Sequence, residues 1–139
     1  MAPWPASVNG SSVTVAAATV IDARASTSGC STATIQGMSL RLGGDVTLLV
    51  DGFAAPTGMN VTTIDGEPHT LRIVAGGAGG CVAGGAIGFP NGVSVTDGAR
   101  IELHTFGEVS VNGPASFGGR VVAGCFAASG NVTVGSPVR

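Results

Sequence analysis

The chain has 139 residues, of which 44% are hydrophobic and only 10% are charged, and its formal net charge is −2. This length fits one domain with a core of its own, and the apolar content excludes a disordered chain. The 24 glycines follow no Gly-X-Y period, which excludes collagen. Lysine is absent and the six arginines are scattered along the sequence, so we expect no nucleic-acid partner.

The N-terminal segment MAPWPASVNG is the first feature along the chain. It lacks the basic and apolar regions of a signal peptide, and no later apolar stretch is long enough to span a bilayer. Pro3 and Pro5 cannot donate hydrogen bonds to a β-ladder, and Trp4 is placed to cover the first strands. We therefore expect a blocked N-terminal end and, because the C-terminal SGNVTVGSPVR is a strand unit without a cap, a monomer or weak self-association through the C-terminal end.

A short unit recurs along the chain: a polar residue or glycine, then Val, then Thr or Ser, then a β-prone or apolar residue. Its copies are Ser12–Val15, Asp45–Leu48, Asn60–Thr63, Gly92–Val95, Glu108–Val111 and Asn131–Val134. The alternation of apolar and polar residues is typical of half-buried strands. The intervals from Val46 to Val61 and from Val93 to Val109 are nearly equal, and two other intervals are about twice as long. This spacing predicts a repeat with a period of roughly 16 residues.

Asp-Gly and Asn-Gly pairs follow several of these units and supply the positive φ angles of tight turns. Such pairs are compatible with the hairpins of a β-sandwich and with the corners of a β-solenoid. The repeat spacing, the short segments and the small residues near Gly118 favour an all-β, single-domain β-solenoid (a right-handed β-helix of short strands) over residues 1–139. A β-sandwich is the alternative.

Two segments are harder to assign. The stretch 13–26 is rich in Ala, which favours helix, but its β-branched residues predict strand. The Gly-rich stretch 75–92 is predicted to be a surface loop.

The three cysteines match no metal-binding spacing. Cys30 and Cys81 lie in Gly-rich, loop-like contexts and are candidates for a disulfide in an exported protein, while the alternative is buried thiols. Cys125 is predicted to lie in the core.

His69 and His104 each follow a glutamate by two residues, Glu67 and Glu102. If their strands stacked, two histidines and two carboxylates could bind a metal ion, but solvent-facing histidines are the preferred interpretation. Together with Asp65 and Glu108 the glutamates would suffice for a glycosidase pair, yet nothing fixes their separation. We predict no catalytic residue, no metal site and no cofactor.

The hydroxyl-bearing third positions of the repeat units form a candidate binding surface. Their shared place in the repeat predicts one ladder on one face, composed of Thr14, Thr47, Thr62, Ser94, Ser110 and Thr133. Such a ladder could bind sugars or ice; a hydrated strand face is the alternative.

Two stretches, Gly43–Val74 and Ser94–Val134, carry a family resemblance. They resemble the β-solenoid domain of bacterial PilX-like pilus-assembly and surface proteins. The matching positions are Val46, Thr47, Gly52, His69, Leu71, Ile73, Thr105, Gly107, Val109, Gly113, Ala115, Phe117, Gly119, Val121, Ala123, Gly130, Asn131 and Thr133. The Gly-punctuated Val strands also look similar to those of bactofilins, which are polymerising cytoplasmic solenoids.

The resemblance implies a non-catalytic structural module at the bacterial cell surface, associated with a pilus and with other pilus or surface proteins as partners. A surface location implies that a leader or anchor is absent from this chain. The alternatives are an adhesin that binds glycans or ice and a bactofilin-like scaffold. A small polysaccharide lyase or hydrolase is the least favoured, because such enzymes use long grooves with many charged residues.

Overall fold

Short strands account for the regular structure of the chain. A computed structural model describes residues 2–3, 7–9, 12–15, 17–22, 32–36, 38–50, 52–55, 58–75, 87–105, 107–130 and 132–133. In these ranges there is no helix and there are eighteen strands. The strands are β1 Ala2–Pro3, β2 Ser7–Asn9, β3 Ser12–Val15, β4 Thr19–Asp22, β5 Thr32–Gln36, β6 Met38–Leu42, β7 Val46–Val50, β8 Gly52–Ala54, β9 Met59–Thr63, β10 His69–Ala75, β11 Ile87–Phe89, β12 Val93–Val95, β13 Ala99–Thr105, β14 Glu108–Asn112, β15 Ala115–Ser116, β16 Gly118–Val122, β17 Cys125–Ser129 and β18 Val132–Thr133.

The strands form three parallel sheets in which each strand pairs with the strand three places further along the chain. Sheet A contains β1, β4, β7, β10, β13 and β16; sheet B contains β2, β5, β8, β11, β14 and β17; sheet C contains β3, β6, β9, β12, β15 and β18. Every pair between described strands is parallel. The all-β class is confirmed, and parallel pairing is consistent with a solenoid and differs from the hairpins of a sandwich.

Three consecutive strands, one from each sheet, are called a rung, and six rungs are stacked. The predicted regular period is wrong, because successive rungs differ in length. In sheet A, Ile73 pairs with Leu103, and Leu103 pairs in turn with Val121, so the first of these two rungs is much longer than the second. The two short intervals between repeat units join units that lie in different sheets. The corners between strands also differ in length.

The interior is apolar and its residues stack in columns along the rungs. Alternate residues of the longer central strands are buried, as in β7 and β13. Three phenylalanines contact one another in the interior: the Phe53 and Phe89 rings are 5.8 Å apart, and the Phe89 and Phe117 rings are 5.5 Å apart, edge to face. Such aromatic contacts add to the burial of apolar area, so the rungs adhere through side chains as well as through backbone hydrogen bonds.

A buried threonine stabilises two corners of the chain through hydrogen bonds. Thr63 is 6% exposed at the end of β9. Its hydroxyl donates to the carbonyl oxygen of Asp97 in the next rung (2.6 Å) and accepts the N–H of Gly66 (3.1 Å). Asp97 itself has φ of 56°. One side chain thus satisfies backbone groups of two successive corners, which keeps the rungs in register.

Two sequence predictions about local structure meet different outcomes here. The stretch 13–26 was predicted to be strand, and its described part contains β3 and β4 with a corner between them. The predicted loop 75–92 is wrong in part, because Ile87–Phe89 is β11, with Ile87 and Phe89 buried. Gly88 between them faces outward, and a glycine at an outward position hides the strand alternation from the sequence.

The stacked corners predict opposite effects of alanine at two glycines. Gly92 has φ of 89°, and a methyl group there would collide with the carbonyl oxygen of Pro114 in the next rung. A methyl group at Gly88 meets nothing within 4 Å. We expect Gly92→Ala to lower the free energy of unfolding by about 2 kcal/mol or more, and Gly88→Ala to leave it unchanged or raise it by less than about 1 kcal/mol. Urea unfolding measures both; equal losses would contradict the stacked corners.

Candidate functional site

The predicted Ser and Thr ladder is divided among the three sheets. Four of its residues lie on sheet C: Thr14, Thr62, Ser94 and Thr133. Thr47 lies on sheet A, between Val20 and Arg72 of the neighbouring strands. Ser110 lies on sheet B, between Gly88 and Ala127. The prediction of a single ladder is therefore wrong, because strands that share a sequence unit belong to different sides of the molecule.

Sheet C nevertheless has a polar residue at one register position of every rung, and we call this set of residues the sheet C column. In register it contains Ser12, Ser39, Asn60, Ser94, Ser116 and Thr133. The amide nitrogen of Asn60 donates to the hydroxyl of Ser94 across 2.8 Å. Thr14 and Thr62 belong to a second column, with Arg41 between them. The repeat unit does not predict Ser39, Asn60 and Ser116, because their strands lack the unit or hold these residues outside its third position.

The histidines do not form a joint metal site. Strands β10 and β13 are neighbours, as the metal hypothesis required, but His69 pairs with Ala99 and His104 with Val74. The histidines are thus offset by five residues, roughly 16 Å along the strand direction. Within the described residues, no group of three or more His, Cys, Asp or Glu side chains could hold a metal ion.

Each histidine has its own carboxylate. The Nε2 atom of His69 lies 3.0 Å from Asp65 Oδ2, and Asp65 also accepts the N–H of Glu67 at 3.0 Å. The hydrogen bond with His69, followed by that from Glu67, holds the pKa of Asp65 below its usual value. Asp65 is therefore the carboxylate that contacts His69, whereas Glu67, which the metal hypothesis grouped with His69, donates its backbone N–H to Asp65.

Glu102 is the centre of a charged cluster on the outer side of sheet A. Its Oε1 lies 3.2 Å from His104 Nε2, and its Oε2 lies 3.5 Å from Arg72 Nη2 on the neighbouring strand. Partial burial acts to raise the pKa of Glu102, but the hydrogen bond with His104 and the positive charge of Arg72 outweigh it, so the pKa lies below its usual value. The cluster places one carboxylate between an arginine and a histidine.

The carboxylates considered for glycoside hydrolysis lie on different parts of the molecule. Asp65 and Glu67 belong to the turn before β10, Glu102 faces outward from sheet A, and Glu108 begins β14 of sheet B, where it accepts a hydrogen bond from Ser110. A glycosidase needs its two carboxyl groups on either side of one bond. These four are arranged as separate surface groups.

Two shallow grooves lie near the corner that joins sheets B and C. One, of about 590 Å³, is lined by Ala54, Gly88, Pro90, Ser110, Asn112 and Ala127 among others. The other, of about 460 Å³, includes Gly58, Asn91, Ser94, Pro114 and Ser116. Both are open and are lined by small side chains, so they resemble gaps between corners more than enclosed ligand pockets.

The cysteine predictions have two outcomes. Cys125 was expected in the core, but it is exposed and its thiol is free. It starts β17 and pairs with the outward-facing Glu108, whereas the next residue, Phe126, packs against the core. Cys30 and Cys81, the candidate disulfide, lie outside the described residues.

Comparisons with known proteins add no relative. No protein-family model, curated protein or solved structure matches the chain. Among the described segments there is no helix long and apolar enough to cross a membrane. The resemblance to pilus-assembly proteins and to bactofilins therefore stays a prediction.

The Glu102 cluster predicts how stability depends on pH. A carboxyl group whose pKa is lower in the folded chain stabilises the fold above its unfolded pKa, and this contribution is lost as the pH falls through the folded pKa. We expect Arg72→Gln and Glu102→Gln each to weaken the decrease in unfolding free energy between about pH 5 and pH 3, because each removes the interaction of this pair.

Urea unfolding at a series of pH values measures this effect. Arg41→Gln, which removes an exposed arginine from sheet C, is the matched control and should keep the slope of the unmodified protein. If all three variants had the same dependence of unfolding free energy on pH as the unmodified protein, the Glu102 cluster would make no contribution to acid stability.

Proposed function

We propose that the chain is a right-handed β-solenoid that serves as a non-catalytic structural module. The observation that supports this most directly is the pairing of each strand with the third strand after it, repeated through six rungs on all three sides. Crossovers between parallel strands are right-handed in nearly all proteins, which supports the proposed handedness. Six rungs spaced by one strand separation give a body roughly 24 Å tall along the stacking axis.

A structural role fits the way in which the polar groups are used. Asp45 accepts the backbone N–H of Thr70 at 2.9 Å, Asp97 accepts the hydroxyl of Thr62 at 3.0 Å, and Thr63 joins two corners. These side chains link one rung to the next. Groups committed to holding backbone and neighbours together are poorly suited to act on a substrate, so the proposal includes no catalytic residue.

Placement at a bacterial surface, in association with a pilus, belongs to the same proposal and rests on the sequence resemblance alone. The gene sequence upstream of this chain tests it. A leader followed by an apolar helix supports a pilus, whereas its absence favours a bactofilin-like polymer.

Carbohydrate or ice binding is a second candidate, supported by the sheet C column. Its polar residues occupy the same register position in successive rungs, and regularly spaced hydroxyl and amide groups are suited to hydroxyl-rich ligands. We expect any binding of neutral glycans to be lost in Ser94→Val and kept in Ser110→Val, whose residue lies on sheet B. A glycan array without neutral hits, together with the absence of thermal hysteresis, would remove this candidate.

The two ends of the stack predict limited self-association. Pro3 lies in β1, the first strand of sheet A, and has no N–H to donate. At the other end Ala128 occupies an inward register position opposite the buried Val111, yet it is exposed because its rung is the last described one. We expect light scattering to give a monomer that associates weakly as its concentration rises.

Two variants of one strand locate that association. A lysine placed at the end of the stack should oppose pairing, so Ala128→Lys is expected to abolish the concentration dependence. Ala127→Lys, on the outward face of the same strand, should leave it unchanged. Filaments at low protein concentration would contradict the blocked N-terminal end and favour the polymerising scaffold.

A further inference from the structure

The arginines that are scattered in the sequence come together on one side of the folded chain. Of the four arginines in the described residues, three face outward from sheet A: Arg72 on β10, Arg100 on β13 and Arg120 on β16. All three are exposed. We call the outer surface of these three neighbouring strands the arginine face.

Register places the three arginines around one carboxylate. Glu102 pairs with Arg72, and Arg100 precedes Glu102 by two residues on the same side of β13. Arg120 lies within the segment between Gly118 and Val121, which pair with Ile101 and Leu103, the residues on either side of Glu102. Arg72 and Arg120 are thus about two strand separations apart, roughly 9.6 Å along the stacking axis.

The arginine face has an excess of positive charge on an acidic protein. Three guanidinium groups and one carboxylate give a formal charge of +2, so the remaining residues of the chain sum to −4. Arg72 interacts with Glu102 at 3.5 Å. No carboxylate of the described residues forms an ion pair with Arg100 or Arg120, and these two groups are available to an external anion.

The side chains of the arginine face indicate which class of partner it can bind. Guanidinium groups bind carboxylate and sulfate through paired hydrogen bonds. The arginine face is an open sheet surface and includes Thr70, Val74 and Val122, which offer a hydroxyl group and aliphatic contacts. The outward positions of β10, β13 and β16 carry no Phe, Tyr or Trp on which nucleic-acid bases could stack. The outward imidazole of His104 is engaged by Glu102 at 3.2 Å.

We propose that the arginine face binds a linear acidic polysaccharide, whose carboxylate or sulfate groups pair with Arg100 and Arg120, while Glu102 offsets part of the positive charge of Arg72. An extended polymer suits the site, because a flat surface encloses no compact ligand but can contact several units of a chain. This proposal is independent of the sheet C column, which lies on a different side of the molecule.

Binding of immobilised polymers to the full chain tests the proposal. The probes are polygalacturonate for carboxylate, dextran sulfate for sulfate, neutral dextran and single-stranded oligothymidylate. We expect binding to one or both acidic polysaccharides, weakening as salt is added, and no binding to neutral dextran. Absence of binding to both acidic polymers at low salt, or equal affinity for oligothymidylate, would overturn it.

Variants assign the binding to the arginine face. We expect Arg100→Gln and Arg120→Gln each to weaken binding by about two- to fivefold, and the triple variant with Arg72→Gln to weaken it by more than about tenfold. Glu102→Gln should strengthen binding, because it removes the only carboxylate of the cluster. General damage to the fold would not increase binding. Arg41→Gln removes an exposed arginine from sheet C and should bind as the unmodified protein does.

Circular dichroism and thermal unfolding of each variant confirm that the sheets are retained. If Arg41→Gln weakens binding as much as Arg100→Gln does, the attraction is a general effect of charge and the assignment to the arginine face is wrong. If Glu102→Gln binds more weakly than the unmodified protein, the assignment to the arginine face is also wrong.

Discussion

Parallel stacking in register is the constraint on which the rest of the structure depends. Each strand hydrogen-bonds to the strands one rung before and one rung after it, so a residue at a given position has neighbours of the same orientation about 4.8 Å away. Inward positions must therefore be apolar in rung after rung, as in the column Val46, Leu71 and Ile101. Corners must let the next rung pass closely, which is why Gly92 fits beneath Pro114.

Six of the eighteen described strands could be predicted from the repeat unit, but the sheets to which they belong could not. All six repeat units coincide with described strands to within two residues at each end, because alternation of Val with Thr or Ser reports which side chains are buried. The sheet to which a strand belongs depends on the number of residues at each corner. Gly43–Asp45 makes one corner and residues 64–68 make another between the same two sheets. Such variation in corner length changes the spacing of the strands along the sequence without weakening the alternation of apolar and polar residues. For that reason the residues of the predicted ladder lie on three different sheets.

The dependence of sheet assignment on corner length also explains which surface groups could be predicted. The proximity of His69 to an acidic residue was visible in the sequence, but its partner is Asp65 in the turn and not Glu67. Arg72, Arg100 and Arg120 are far apart and unequally spaced in the sequence, and no spacing rule connects them. Only the register of β10, β13 and β16 makes them neighbours. Cys125 was misplaced because β17 was not recognised as a strand, and within a strand its inward neighbour Phe126 requires Cys125 to face outward.

A stack of this kind separates the residues that maintain the fold from those that can acquire a binding function. Loss of a fully buried side chain such as Leu103 costs about 2–5 kcal/mol, whereas replacement of an exposed outward residue changes stability by about 0.5 kcal/mol or less. Outward columns can therefore change in charge and size with little effect on the rungs beneath them. Sheet A has an arginine-rich outer surface over the same kind of apolar column that supports the Ser and Asn residues of sheet C, and each surface repeats at the strand separation. The regular backbone thus determines the spacing of the outward groups, while their chemistry determines what the surface can bind.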